Sequence, residues 1–280
     1  MKTKKPSLAN SVMRSVRENG HRPEHAVRLE GEGLRVATYN VHKCVGTDGK
    51  FDPDRTFQVI REIDPDLIAL QEADTRFGER TGLLDLRRIE VETGLVAVPV
   101  RASAKAHGWH GNLVLVRDGA VRDILRETLP GLEPRGALLT EILLNSGVSL
   151  RIVAVHLGLL RWARRQQAEH ILSLINRRDE AATLIMGDMN EWRLGSGSAL
   201  TRFERAFGDL PPARASFPAR WPVLALDRII SNRSGIVRDL AVHDSALSRL
   251  ASDHLPLTAL IDTTRLDPQA KIDTSLSTTG

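Results

Sequence analysis

The sequence predicts an α/β protein in which two packed β-sheets are flanked by helices, and three observations predict it. From Leu34 onward, apolar runs of strand length alternate with stretches of helical periodicity. The strand-like runs are too many for one small sheet. No fixed-period repeat or long linker divides them, so the 280 residues read as one domain over about 34–262, with 1–33 a flexible basic leader and 263–280 a disordered tail.

The elements follow in order. LRVATYN (34–40) is a short strand, and a polar loop with two Gly and a Pro comes after it. In DPDRTFQVIREI, Asp52 and Pro53 supply helix-start chemistry, and Phe57, Ile60 and Ile63 fall at helical spacing. DLIALQE is a buried-strand run ending in a carboxylate. A helix is expected over Leu83–Glu92, then strands near 95–99, 112–117 and 121–128. RGALLTEILLN and VSLRIVAVHLG form a hairpin about Ser146-Gly147. An amphipathic helix covers about 162–178, with Ala168, Ile171, Leu172 and Ile175 on one face. TLIMGDMN is the next strand. A helix near 198–206, a Pro- and Arg-rich loop, and strands at about 224–231, 236–242 and 255–261 complete the domain.

Composition excludes several classes. Apolar residues make up 41% and charged residues 26%, enough to bury a sizeable core. The longest apolar stretches are far too short to span a bilayer, and the basic N-terminus lacks the apolar segment of a signal peptide. Cys44 is the single cysteine, which rules out an intrachain disulfide and fits a reducing compartment. A cytoplasmic monomer without stable membrane insertion is expected. Residues 1–33 carry three Lys and four Arg against four Glu, three of the chain's four net positive charges. The charge is thus mostly a property of the tail and argues little for a polyanionic partner.

The chemistry sits where strands end. VATYN ends at Asn40, LIALQE at Glu72, RIVAVH at His156, and LIMGDMN at Asp188 and Asn190. Strand ends held by a rigid core are where α/β folds place binding groups. In GDMN, Asp188 and Asn190 at i, i+2 offer one group to orient a nucleophilic water and one to hold a phosphate oxygen; an Asx turn is the plain alternative. In SDH, Asp253 suits a hard cation and His254 a phosphate oxygen. Asp227 lies in the apolar run ALDRII, where a carboxylate is costly unless paired, and His254 is a natural partner that it would keep protonated. His156 reads as a core histidine or as a general acid for the leaving oxygen. Asn112 begins a strand and is placed to contact a phosphate. His107 and His110 do not make a zinc site, because no Cys or third His stands at metal spacing. Carboxylate and amide oxygens without thiolates suit Mg²⁺ or Mn²⁺.

On these motifs the chain resembles the endonuclease/exonuclease/phosphatase superfamily, the DNase I-like hydrolases. The match runs in order through TYN (38–40), LQE (70–72), GN (111–112), VHL (155–157), GDMN (187–190), LDRI (226–229) and SDH (252–254), and so covers essentially all of 34–262. Each piece is short, but the ordered set is specific. The resemblance implies a four-layer α/β sandwich of two packed mixed sheets. It implies Glu72 as the main metal ligand, supported by Asn40 and Asp253. Asp188 would position or deprotonate the attacking water, Asn190 would hold the phosphate, and His254, oriented by Asp227, would stabilise the transition-state charge. His156 stands where DNase-like and sphingomyelinase-like members carry a histidine and the abasic-site nucleases a tyrosine. The acidic partner of that histidine has no clear counterpart; Glu79 is the one candidate. Asn112, Asn190 and Arg161 are assigned to substrate binding, and Arg80, Arg161, Arg164, Arg193 and Arg220 are candidates to line a polyanion-binding mouth.

The resulting expectation is a Mg²⁺- or Mn²⁺-dependent phosphodiesterase, a nuclease in the first instance. The alternative is a phosphatase or phospholipase-C-like enzyme acting on lipid headgroups or small phosphate esters. An inactive phosphate-binding relative is set aside because no ligand position is lost. Asp188→Ala is expected to abolish turnover and leave the fold intact.

Overall fold

The computed structural model describes residues 33–266 except 101, 118, 146, 194 and 196. The leader before Gly33 and the tail beyond Leu266 lie outside the described residues. Within them, strands and helices follow in the order β1 (Leu34–Asn40), α1 (Pro53–Ile63), β2 (Leu67–Gln71), α2 (Leu86–Thr93), β3 (Val96–Ala97), β4 (Leu113–Val116), β5 (Ala120–Thr128), β6 (Gly136–Leu143), β7 (Ser149–His156), α3 (Arg161–Asn176), β8 (Ala182–Asp188), α4 (Leu200–Phe207), β9 (Asp227–Ser231), β10 (Val237–Val242), α5 (Ala246–Ala251) and β11 (Leu257–Ile261).

Two mixed sheets result, one ordered β10-β11-β1-β2-β4-β3 and the other β5-β6-β7-β8-β9. Successive residues of a strand point to opposite faces, and here both faces are covered. Leu67 and Ala69 of β2, Leu150, Ile152 and Ala154 of β7, and Leu184 and Met186 of β8 fill the core between the sheets. Their strand neighbours Ile68 and Leu70 pack instead under α1, α2 and α5. Val153, Val155 and Ile185 pack under α3 and α4. This double burial is why the strands read as unbroken apolar runs rather than alternating ones. The product is the four-layer α/β sandwich that the motifs imply.

Local chemistry sets the element ends. The Asp52 side chain accepts from the Arg55 N–H at 3.2 Å with Pro53 in the first turn, and Asp64 ends α1 in the left-handed conformation. The expected face of α3 is inward at Ala168, Ile171 and Ile175, and Arg164 and Gln167 are buried with them. Three features depart from expectation. The six-residue α5, closed by a Ser245–Ser248 capping box, is too short to show a helical period. His42–Cys44 forms a 3-10 turn with φ of 46°, 54° and 58°. Thr263–Arg265 forms another, and Leu266 joins the inter-sheet core; packing therefore continues four residues beyond the expected boundary at 262. No helix of the described residues is long and apolar enough to cross a membrane.

Candidate active site

Strand register assembles the centre of the site. β7 and β8 are parallel with His156 opposite Asp188, and β8 and β9 antiparallel with Asp188 opposite Asp227. Three predicted residues thereby stand in a row across three adjacent strand ends. The other sheet brings Asn40 to the same edge, opposite Gln71 of β2. Gly187 makes the close approach possible: its φ is 148°, and a Cβ there would lie 1.9 Å from the Val155 carbonyl oxygen.

A buried hydrogen-bond network joins these groups. Asn40 Nδ2 donates to Asp188 Oδ2 at 3.0 Å, which stitches one sheet to the other. The Asn190 N–H donates to Asp188 Oδ1 at 2.8 Å, and Asn190 Nδ2 donates to the Leu157 carbonyl at 2.9 Å. GDMN is thus an Asx turn and a convergence of polar groups at once. His254 Nδ1 lies 2.8 Å from Asp227 Oδ2, which also accepts from Ser216 Oγ at 2.6 Å. The other imidazole nitrogen of His254 is 3.8 Å from Asp188 Oδ2.

The charge states follow from burial and neighbours. Burial disfavours the His254 imidazolium, but Asp227 and then Asp188 outweigh it and lift its pKa to about 10. Burial raises Asp188 to about 6, opposed by His254. His156 is the opposite case. Burial and the Arg135 guanidinium hold its pKa well below the usual histidine value. Arg135 Nη1 lies 2.8 Å from His156 Nε2, and a guanidinium can only donate, so that nitrogen accepts and the ring is neutral. The 3.4 Å approach of His156 Nε2 to Asp188 is therefore not an ion pair. The sequence led to the expectation of a general acid; in this arrangement His156 Nε2 accepts from Arg135 and carries no proton.

The expected donors for a divalent cation are Glu72, Asn40 and Asp253. Glu72 lies one residue past β2 at φ 54°, and its Oε2 is buried without a hydrogen-bond partner. Lys43, turned in by the His42–Cys44 turn, brings its Nζ to 2.7 Å from that oxygen, an ion pair off the hydrogen-bonding direction. A lone carboxylate oxygen met by a resident cation fits a cation-binding role. Asp253 is partly exposed, with Oδ1 3.7 Å from His42 Nδ1, and Asn40 Oδ1 accepts from the His42 N–H at 3.0 Å. The tightest ligand-type cluster among the described residues is different: Asp188, Asp227 and His254, with ligand atoms within 4.8 Å of one another. A histidine held protonated by one of its two carboxylates is a poor metal ligand, and charge pairing is enough to account for that cluster.

Several predicted contacts fall elsewhere. Asn112 is fully buried; its amide donates to the Gly136 carbonyl at 2.9 Å and links the two sheets, while its Oδ1 has no hydrogen-bond partner among the described residues. Arg161 is held by the Gly197 carbonyl at 2.8 Å. Arg164 is buried against Glu191 and the Gly158 and Leu159 carbonyls, so it cannot line a mouth. Arg220 donates to the Thr47 carbonyl, and Arg193 lies over the Trp192 ring. Glu79 pairs with Lys105 and not with His156. Arg80 does face the site. It lines a narrow cleft with Lys43, Glu72, Arg76, Arg135 and His156, braced by Asp74 at 3.0 Å. A cavity of about 440 Å³ beside Arg214 and Asp239 contains none of these groups.

Sequence reading missed Lys43, Ser216 and Arg135. Lys43 follows a strand end by three residues in a polar loop, and Ser216 lies in a Pro-rich loop. Arg135, in EPRG just before β6, looks like turn chemistry. Its one legible signal is position: in an antiparallel hairpin, the residue before β6 meets the end of β7.

Solved structures share this architecture. An endonuclease/exonuclease/phosphatase from Beutenbergia cavernae is 22% identical, with 81% of this chain and 71% of that one aligned at a TM-score of 0.57. TDP2 of D. rerio, complexed with a single-strand DNA product, is 14% identical over 82% and 99% at 0.59. A mannosyl-6-phosphatase of Bacteroides thetaiotaomicron is 14% identical over 81% and 98%, also at 0.59. At these identities the likeness carries the fold alone, and no curated protein matches the chain. The motifs have a more direct counterpart, since the model of the Endonuclease/Exonuclease/phosphatase family matches residues 37–254. That span takes in every strand-end group from Asn40 to His254, and the chain belongs to this family of phosphoester hydrolases.

Proposed function

We propose that the protein is a divalent-metal-dependent phosphodiesterase. The observation that carries this reading is the buried chain Asn40–Asp188–His254–Asp227–Ser216, which sets an acid that ionises near pH 6 against an imidazolium that persists to about pH 10. Groups whose environments drive their pKa values apart divide the roles of base and acid between them.

Asp188, ionised at neutral pH, orients the attacking water and accepts its proton, while Asn40 Nδ2 and the Asn190 N–H fix the carboxylate plane. His254 keeps its Nδ1–H on Asp227 and presents Nε2–H to a non-bridging phosphate oxygen, where negative charge grows. His156 stays neutral, and Arg135 supplies positive charge beside it. Glu72, with Asp253 and Asn40, would hold Mg²⁺ or Mn²⁺, which when bound polarises the phosphoryl oxygen and shields the leaving group. Lys43 then has to yield its place at Glu72.

A phosphomonoesterase is a second reading, favoured by the four cations Lys43, Arg76, Arg80 and Arg135 around one cleft, which suit a dianion. Hydrolysis of bis(p-nitrophenyl) phosphate against p-nitrophenyl phosphate in Mn²⁺ separates the two. Faster turnover of the diester is expected, with a loss of about 10³-fold or more in Asp188→Asn. Preference for the monoester would overturn the diesterase reading, and undiminished turnover in Asp188→Asn would overturn the role of Asp188.

A further inference from the structure

The edge of the sandwich that carries the site is also where large apolar side chains are left in water. β6 runs antiparallel to β7 with Ala137 opposite Val155, so the segment before β6 and the segment after β7 leave the same edge as Asp188. Leu132, 81% exposed, stands on the first segment and Leu159, 65% exposed, on the second; the Leu159 N–H is tied to Glu133 Oε1 at 2.6 Å. Trp192 follows the GDMN turn at 49% exposure. On the other flank, Trp221 and Val223 are 80% and 72% exposed in the loop that leads into Asp227. That loop is pinned to the site by the Ala219 N–H, which donates to the Asp253 carbonyl at 2.7 Å. Exposed arginines, each with one contact to a carbonyl or ring and further N–H groups in water, alternate with the apolar residues: Arg161 after Leu159, Arg193 after Trp192, and Arg220 before Trp221.

Single exposed apolar residues need no explanation, but a rim of them around one functional edge marks an interaction surface. Aromatic and aliphatic side chains interleaved with arginine suit the boundary of a bilayer, where apolar parts enter the acyl region and guanidinium groups meet phosphates. A single-stranded nucleic acid would use aromatic faces for base stacking. Leu132, Leu159 and Val223 have no such face, and as the most exposed aliphatic side chains of the rim they favour lipid. We infer that this rim docks the protein on an anionic phospholipid surface and presents lipid headgroup phosphodiesters to Asp188 and His254. The inference rests on the proposed phosphodiesterase reading for its substrate and on the rim alone for its docking.

The test uses the full chain and a Leu132→Ser/Trp221→Ser/Val223→Ser variant, none of whose changed residues belongs to the catalytic set. Co-sedimentation with vesicles of equimolar phosphatidylglycerol and phosphatidylcholine should show binding that weakens with salt. The variant should bind about tenfold more weakly or worse while hydrolysing bis(p-nitrophenyl) phosphate as the parent does. Equal vesicle binding by both proteins, no vesicle binding by the parent, or a rim-dependent response to oligo(dT) alone would each overturn the docking surface. A rim-dependent dimer would also overturn it. Vesicle binding without hydrolysis of any phosphodiester would instead overturn the enzymatic reading and leave the docking surface standing.

Discussion

His254 sits where burial disfavours an imidazolium, yet Asp227 Oδ2 at 2.8 Å from its Nδ1 keeps it charged up to about pH 10. This folded-state value lies above the ordinary histidine value of 6.5. The pairing therefore contributes its full stability below about pH 6.5 and loses it progressively as the pH rises from there through about 10. Melting temperatures followed by circular dichroism in EDTA should fall across this window. In Asp227→Asn the imidazole titrates nearer its ordinary value, so the fall over the same window should flatten. An equally steep fall in the variant would show that the pair is not its source. This partnership was legible in the sequence, because a carboxylate inside ALDRII is costly unless paired and His254 was the nearest reasonable partner. The Arg135–His156 contact was not. Its residues stand 21 positions apart, and nothing in EPRG marks a buried guanidinium.

At the scale of the element, β8 is the piece on which the site is built, and Gly187 is the position it can least change. A Cβ at Gly187 would meet the Val155 carbonyl oxygen at 1.9 Å, on a backbone with φ of 148°. Backbone of the adjacent strand cannot swing aside as a side chain can. Gly187→Ala should therefore destabilise by roughly 3 kcal/mol or more, read as a lower urea midpoint; an unchanged midpoint would show that β7 can give way. The neighbouring expectation for Asp188→Ala changes for a related reason. Asp188 is fully buried at the end of β8 and accepts from Asn40 and Asn190, so alanine would orphan two donors and cost stability as well as turnover. Asparagine is the cleaner substitution. The strands and long helices were legible because their apolar residues alternate between two cores or repeat at helical spacing. α5 and the His42–Cys44 turn were not, since six residues carry too little period and consecutive left-handed residues have no composition signature.

The whole molecule places its site on a seam. Asn40 leaves one sheet and Asp188 the other, and their side chains meet at 3.0 Å across 148 positions of sequence. The proposed cation anchor, Glu72, follows β2 of the first sheet, the proposed water-orienting Asp188 ends β8 of the second, and His254, just before β11 of the first, pairs with Asp227 of the second. A cation at the seam should therefore stabilise the sandwich as a whole by mass action. With Mn²⁺ at about 100 times its dissociation constant the gain is roughly 2.7 kcal/mol, or about 5–10 °C in melting temperature for a domain of this size. Glu72→Gln removes the anchoring charge and should abolish most of that rise, measured against the variant's own EDTA melting temperature, because Lys43 at 2.7 Å is the one charged partner it loses. A Mn²⁺-dependent rise that survives in Glu72→Gln but vanishes in Asp227→Asn would move the cation to the Asp188, Asp227 and His254 cluster. That outcome would also cost His254 its proton, because an imidazole that ligates a metal cannot at the same time serve as the charged donor to phosphate.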